Sequence, residues 1–109
     1  MHAFDILGDP VRRRILELLA EGDRTSGDVV AVIHGEFGIS QPAVSQHLRV
    51  LRESGFATVE AAGTRRIYSL DVSGIDAVER WVAGLRSFWE RRLDALATEV
   101  TRGRRSRPR

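Results

Sequence analysis

The sequence predicts a mainly α-helical fold carrying one small β-hairpin, on three observations. Apolar residues recur at helical spacing through most of the chain. One stretch, Phe56 to Leu70, changes to two short strand-like runs around a Gly-containing turn. The segment from Ser40 to Gly55 carries helix start and stop signals at its two ends. At 109 residues the chain is near the small end for a self-sufficient core, so part of its burial is expected from a partner subunit.

Met1 to Gly8 contains Phe4, Ile6 and Leu7, a short apolar, helix-like piece. Asp9 and Pro10 restart the chain: Asp9 is a good N-cap, and Pro10 fits the first helical position. The helix from Val11 to Ala20 buries Val11, Ile15, Leu18 and Leu19 and ends at Glu21-Gly22-Asp23. Arg12, Arg13 and Arg14 start it, placed either to touch phosphate or to pair with a nearby carboxylate. Thr25 or Ser26 caps a third helix reaching about His34-Gly35, with Val29, Val30, Val32 and Ile33 mainly in the core. Phe37 and Ile39 are expected to plug the gap before the next helix, with Gly38 making the turn.

Ser40 to Gly55 then reads as one short helix. Ser40 is the N-cap, Pro42 sits in the first turn, and Gly55 suits the left-handed position past the end. Val44, Leu48 and Leu51 make one apolar stripe. The opposite face carries Gln41, Pro42, Ser45, Gln46, Arg49 and Arg52, with no carboxylate among them. Several of these residue types read base edges or hold phosphates, which suits a helix lying in a DNA major groove. An ordinary amphipathic surface helix would show the same outer face, so the segment that follows matters.

That segment is a predicted hairpin. Phe56 to Glu60 and Arg65 to Leu70 are its strands, and Ala61-Ala62-Gly63-Thr64 is its turn. Arg65 and Arg66 stand just beyond the tip, placed for a phosphate backbone or a minor groove. Taken together, SQPAVSQHLRVLRESG and FATVEAAGTRRIYSL resemble the recognition helix and wing of the ArsR-type bacterial repressors. The set that carries the resemblance is Ser-x-His-Leu at Ser45 to Leu48, Leu-x-x-x-Gly at Leu51 to Gly55, and Gly-Thr-Arg-Arg in the wing. It runs from about Phe4 to Val100. The resemblance implies a winged helix-turn-helix protein that binds operators as a homodimer through its N- and C-terminal helices. Many members are shorter between the third helix and the recognition helix, so His34-Gly35-Glu36 looks like an extension.

The last helix is expected from about Gly74 to Thr101 with Ser73 as its cap. Ile75, Val78, Val82, Leu85, Trp89, Leu93, Leu96 and Val100 follow a helical period, and Trp81 and Phe88 widen the stripe. This is more apolar surface than a small core can cover. Phe4, Leu7, Val78, Trp81, Val82, Leu85, Trp89 and Leu96 are therefore the expected dimer contacts. Arg92 falls inside the stripe and would need a carboxylate partner once buried. Residues 1–101 form the expected DNA-binding and dimerisation domain. Residues 102–109, RGRRSRPR, form an expected disordered basic tail.

All 17 basic residues are arginine. Twelve of them and all 15 acidic residues precede position 102, so that body carries a net charge of −3 and the last eight residues carry +5. DNA affinity must then come from local arginine placement rather than a globally basic body. With no cysteine there is neither a disulfide framework nor a thiolate metal site. No apolar run spans a bilayer and no signal peptide is evident, which predicts a cytoplasmic protein. His2, His34 and His47 are scattered and make no metal-ligand pair. The metal-sensing cysteines or histidines of some ArsR-type proteins have no counterpart, so no metal and no cofactor are expected. No nucleophile elbow, phosphate loop or dinucleotide fingerprint occurs, so an enzyme is not expected.

The expected function is sequence-specific binding of double-stranded DNA by a homodimeric repressor on a pseudo-palindromic operator. Base-edge candidates are Gln41, Ser45, Gln46 and Arg49, and phosphate candidates are Arg52, Arg65 and Arg66, with Ser40 and Pro42 beside them. Two rivals are a metal- or ligand-responsive sensor of the same fold, and a dimeric protein-interaction module that has lost DNA binding.

Overall fold

The structure, a computed structural model, describes residues 3–106, the last three as backbone alone. In order the chain forms α1 (Ala3–Leu7), α2 (Pro10–Glu21), β1 (Arg24–Thr25), α3 (Ser26–Phe37), α4 (Gln41–Glu53), β2 (Ala57–Ala62), β3 (Arg65–Leu70) and α5 (Val72–Ser106). The mainly helical fold with a hairpin wing is the predicted one. Its sheet has one strand more than expected, in the order β1-β3-β2, all antiparallel. β1 escaped the sequence because Arg24 and Thr25, paired with Tyr68 and Ile67, are too few to show alternation. Contacts divide the chain into two units, residues 1–78 and residues 79–109.

The first unit is built from capped helices around one core. Asp9 accepts hydrogen bonds from the Val11 and Arg12 amides at 2.8 and 3.3 Å, with Pro10 leading the helix as predicted. Thr25 and Asp28 form a reciprocal capping box at the start of α3. Ile6, Ile15, Val29, Ile33, Val44, Leu48, Leu51 and Phe56 are its largest fully buried side chains. β2 pairs with β3 from Ala57↔Leu70 to Ala62↔Arg65, which leaves Gly63 and Thr64 as a two-residue loop rather than the four expected. Gly63 has φ 62°, the left-handed conformation such tight loops need.

Three local expectations are corrected. α3 continues to Phe37, because Glu36 accepts two hydrogen bonds from Arg14 on α2, at 2.9 and 3.0 Å, and so holds the final turn. Phe37 is consequently 40% exposed and plugs nothing, while Ile39 is half-buried. Gly38, at φ 70°, makes the predicted turn. The cap of α5 is Asp71 instead of Ser73: the carboxylate, the stronger acceptor, takes the Ser73 amide at 2.9 Å. Third, α5 runs through Ser106, so residues 102–106 are helical rather than disordered. Arginine is a good helix former, and cations suit a helix C-terminus. Arg107, Pro108 and Arg109 lie outside the described residues.

Gly74 explains how α5 begins against the first unit. Its amide donates to the Gly55 carbonyl at 2.8 Å, and a Cβ there would stand 2.7 Å from the buried Phe56 ring. Beyond Val78, within the second unit, the apolar side chains of α5 are exposed, including Leu85 at 54% and Trp89 at 55%. Among the described residues no helix is long and apolar enough to cross a membrane.

Candidate nucleic-acid interface

α4 is held by its buried face. Val44, Leu48 and Leu51 are almost wholly inaccessible, so the helix cannot rotate without exposing them. Its start is fixed by Ser40, whose hydroxyl accepts from the Ala43 amide at 3.4 Å. Ser40 is thus engaged as a cap. At the other end Ser54 closes the helix and Gly55, at φ 82°, turns the chain towards the wing.

This anchoring leaves Gln41, Pro42, Ser45, Gln46, Arg49 and Arg52 exposed on one side. The Gln41 side-chain amide donates to the Ser45 hydroxyl at 3.0 Å, which pre-orders two potential readers. Arg49 stands 4.0 Å from Glu53, a loose exposed pair that leaves the guanidinium available.

These six residues, with Arg66 on β3, border one groove of about 560 Å³. Three residues not anticipated complete it: Ser26 at the start of α3, Leu48 and Tyr68. Among the described residues three guanidinium groups line the groove and no carboxylate does. Arg65 borders a neighbouring hollow of about 370 Å³, together with Arg66, Thr64 and Thr25 to Asp28. Arg66 thus borders both hollows, whereas Arg65 borders only the second. Strand alternation, counted two residues on from Arg66, was the available signal for Tyr68. In the sequence Ser26 offers only the signal of a helix cap.

The first arginines of α2 are committed internally. Arg12 donates to the carbonyls of Ile6 and Asp5 at 2.8 and 2.9 Å, and its guanidinium lies 3.4 Å from His47 Nδ1. Arg13 donates to the Leu7 carbonyl at 2.6 Å. His47 therefore packs against α2 rather than lining the groove. Burial tends to raise the Asp9 carboxyl pKa. The amides of Val11 and Arg12, helped by the charges of His47 and Arg12, outweigh it and hold the group below its usual range. Hydrogen bonds from Arg14 likewise hold the Glu36 carboxyl low.

The expected dimer contacts fall in both units. Leu7 and Val78 are half-buried against the core of the first, and Phe4 is exposed there. Trp81, Val82, Leu85, Trp89 and Leu96 are exposed along α5 in the second, as are Phe88, Leu93 and Val100. Among the described residues no three His, Asp or Glu side chains converge as metal ligands would.

Comparison with known proteins places this geometry. Residues 9–59 match the family described as bacterial regulatory protein, arsR family. The chain is similar to HTH-type transcriptional regulator Rv2034 of Mycobacterium tuberculosis, 39% identical over 95 residues that cover 87% of this chain and 82% of that protein. It is also similar to the transcriptional repressor SdpR of Bacillus subtilis, 33% identical over 81 residues, or 74% of this chain and 86% of that one. The crystal structure of a possible transcriptional regulator for arsenical resistance aligns with a TM-score of 0.67 at 35% identity, covering 91% of this chain and 96% of that chain.

Proposed function

This chain belongs to the ArsR family of bacterial regulatory proteins, and from that premise we propose that it is a homodimeric, DNA-binding transcriptional repressor. One observation carries the reading: α4 and β3 together border a groove lined by Gln, Ser and three Arg side chains and by no carboxylate. Gln41, Ser45, Gln46 and Arg49 are the base-edge readers, because they stand on the exposed side of an anchored helix. Arg52, Arg65 and Arg66 are the phosphate contacts, with Pro42 packing beside them and Ser40 acting through the cap. Two copies set two α4 helices on half-sites roughly 34–36 Å apart, one turn of a pseudo-palindromic operator. The exposed apolar residues of α5 support the dimer, since so many large ones in line mark an interaction surface. Repression follows by excluding polymerase from the occupied promoter.

Titration of the full chain against the duplex upstream of its own gene, with random duplex as competitor, tests this. Tight binding that random DNA displaces only in large excess is expected. Equal affinity for both duplexes, or no binding, would refute sequence-specific repression.

A further inference from the structure

Tyr68 is 6% exposed, and no protein group accepts or donates a hydrogen bond to its hydroxyl among the described residues. No buried side-chain nitrogen or oxygen lacks a partner among those residues either. The hydroxyl is therefore reached, at least in part, by solvent. Buried tyrosines usually bond their hydroxyl to the protein. Here the ring is packed in the core cluster, and the residue lines the groove between α4 and β3. Arg66, two residues earlier on the same face of the strand, lines the same groove, as do Arg52 and Ser26. Among the described residues Ser26 also carries a hydroxyl with no hydrogen bond to protein.

We propose that Tyr68 is a DNA-contacting residue whose hydroxyl donates to one backbone phosphate seated in this groove, beside the Arg52 and Arg66 guanidinium groups. The inference rests on the DNA-binding function proposed above. A phosphate fits better than a base, for three reasons. The ring is fixed by packing, so its hydroxyl cannot follow a base edge as a flexible Gln or Arg can. The lining is cationic and free of carboxylates, which suits an anion. And the groove lies between the helix proposed for the major groove and the strand of the wing, where a sugar-phosphate strand has to pass. A neutral donor at that position adds a short-range bond without releasing a counterion, whereas Arg66 does both.

The experiment compares wild type, Tyr68→Phe and Arg66→Ala as full chains on the upstream duplex and on random duplex, across a range of salt. Tyr68→Phe should bind both duplexes about five- to hundredfold more weakly, the net worth of two hydrogen bonds, one from each subunit, with an unchanged slope of log K against log salt. Its thermal midpoint should match wild type, because no bond within the protein is lost. Arg66→Ala should also weaken both, and should flatten the slope by about 1.8, one phosphate contact being lost in each of the two subunits. A duplex series with single methylphosphonate substitutions should contain one position per half-site at which wild type and Tyr68→Phe bind alike. Unchanged affinity in Tyr68→Phe, a loss confined to the upstream duplex, or a lowered thermal midpoint would each overturn the phosphate role while leaving DNA binding standing. Absence of DNA binding by wild type would remove both proposals together.

Discussion

α4 and the part of α5 beyond Val78 are both amphipathic helices, yet the apolar face of one is buried and that of the other is exposed. α4 sets three apolar residues into the core and leaves none of its large apolar side chains exposed. α5 leaves Trp81, Val82, Leu85, Phe88, Trp89, Leu93, Leu96 and Val100 open. An apolar stripe in a sequence therefore specifies only that burial is needed. Whether the cover comes from the same chain or from a second one depends on what the rest of the fold can reach. The polar faces differ too: that of α4 is short, carries Glu53 as its single carboxylate at the C-terminal end, and borders a groove shared with the wing, whereas that of α5 mixes both signs of charge throughout.

The strongest way to break the contrast is to charge the open stripe. Leu85→Glu leaves the carboxylate in water in a single chain but desolvates it in a dimer, which costs association several kcal/mol. Sedimentation should find monomer, circular dichroism should find retained helix, and operator affinity should fall although every groove residue is intact. Global unfolding instead would place Leu85 in the subunit's own core. The matching change in α4, Leu48→Ala, should act on folding. It should cost about 2–5 kcal/mol in denaturant titration, with a dimer still formed by the folded fraction.

Changes on the open face of α4 should touch neither folding nor assembly. Gln46→Ala or Arg49→Ala should each lose about 1–3 kcal/mol on the operator and much less on random DNA. Equal losses on both duplexes would make these residues phosphate contacts. The smallest effect is expected at the Asp9 cap, where Ala should cost about 0.5–2 kcal/mol. The folded-state pKa of Asp9 is depressed, so its contribution is present above the unfolded-state value, near 4, and is lost as pH falls through the folded one. Asp9→Ala should therefore flatten the acid limb of the stability profile and leave neutral salt dependence alone.

Most of the fold was legible because its signals are local. Asp9-Pro10, Ser40, Gly38 and Gly55 mark helix ends by the chemistry of single residues, and the structure uses each as predicted. The misses are non-local. Glu36 lengthens α3 only because Arg14, 22 positions away, bonds it. Ser26 joins the groove only once α3, α4 and β3 are assembled, and no spacing in the chain announces it, whereas Tyr68 could have been reached by alternation from Arg66. Asp71 displaced Ser73 as a cap through competition between two adjacent acceptors, which propensity alone does not rank.

The arginines at the start of α2 have a consequence for how the N-terminus comes apart. α1 is five residues long, too short to persist alone, and the carbonyls of Asp5, Ile6 and Leu7 at its end are taken by Arg12 and Arg13. Its amides are therefore expected to exchange with solvent as one cooperative group, at a lower opening energy than the core of α2 and α4. The first segment to fray on warming or at a protease's approach would be α1, released by breaking guanidinium–carbonyl bonds and withdrawing Ile6 from the core while the groove stays whole.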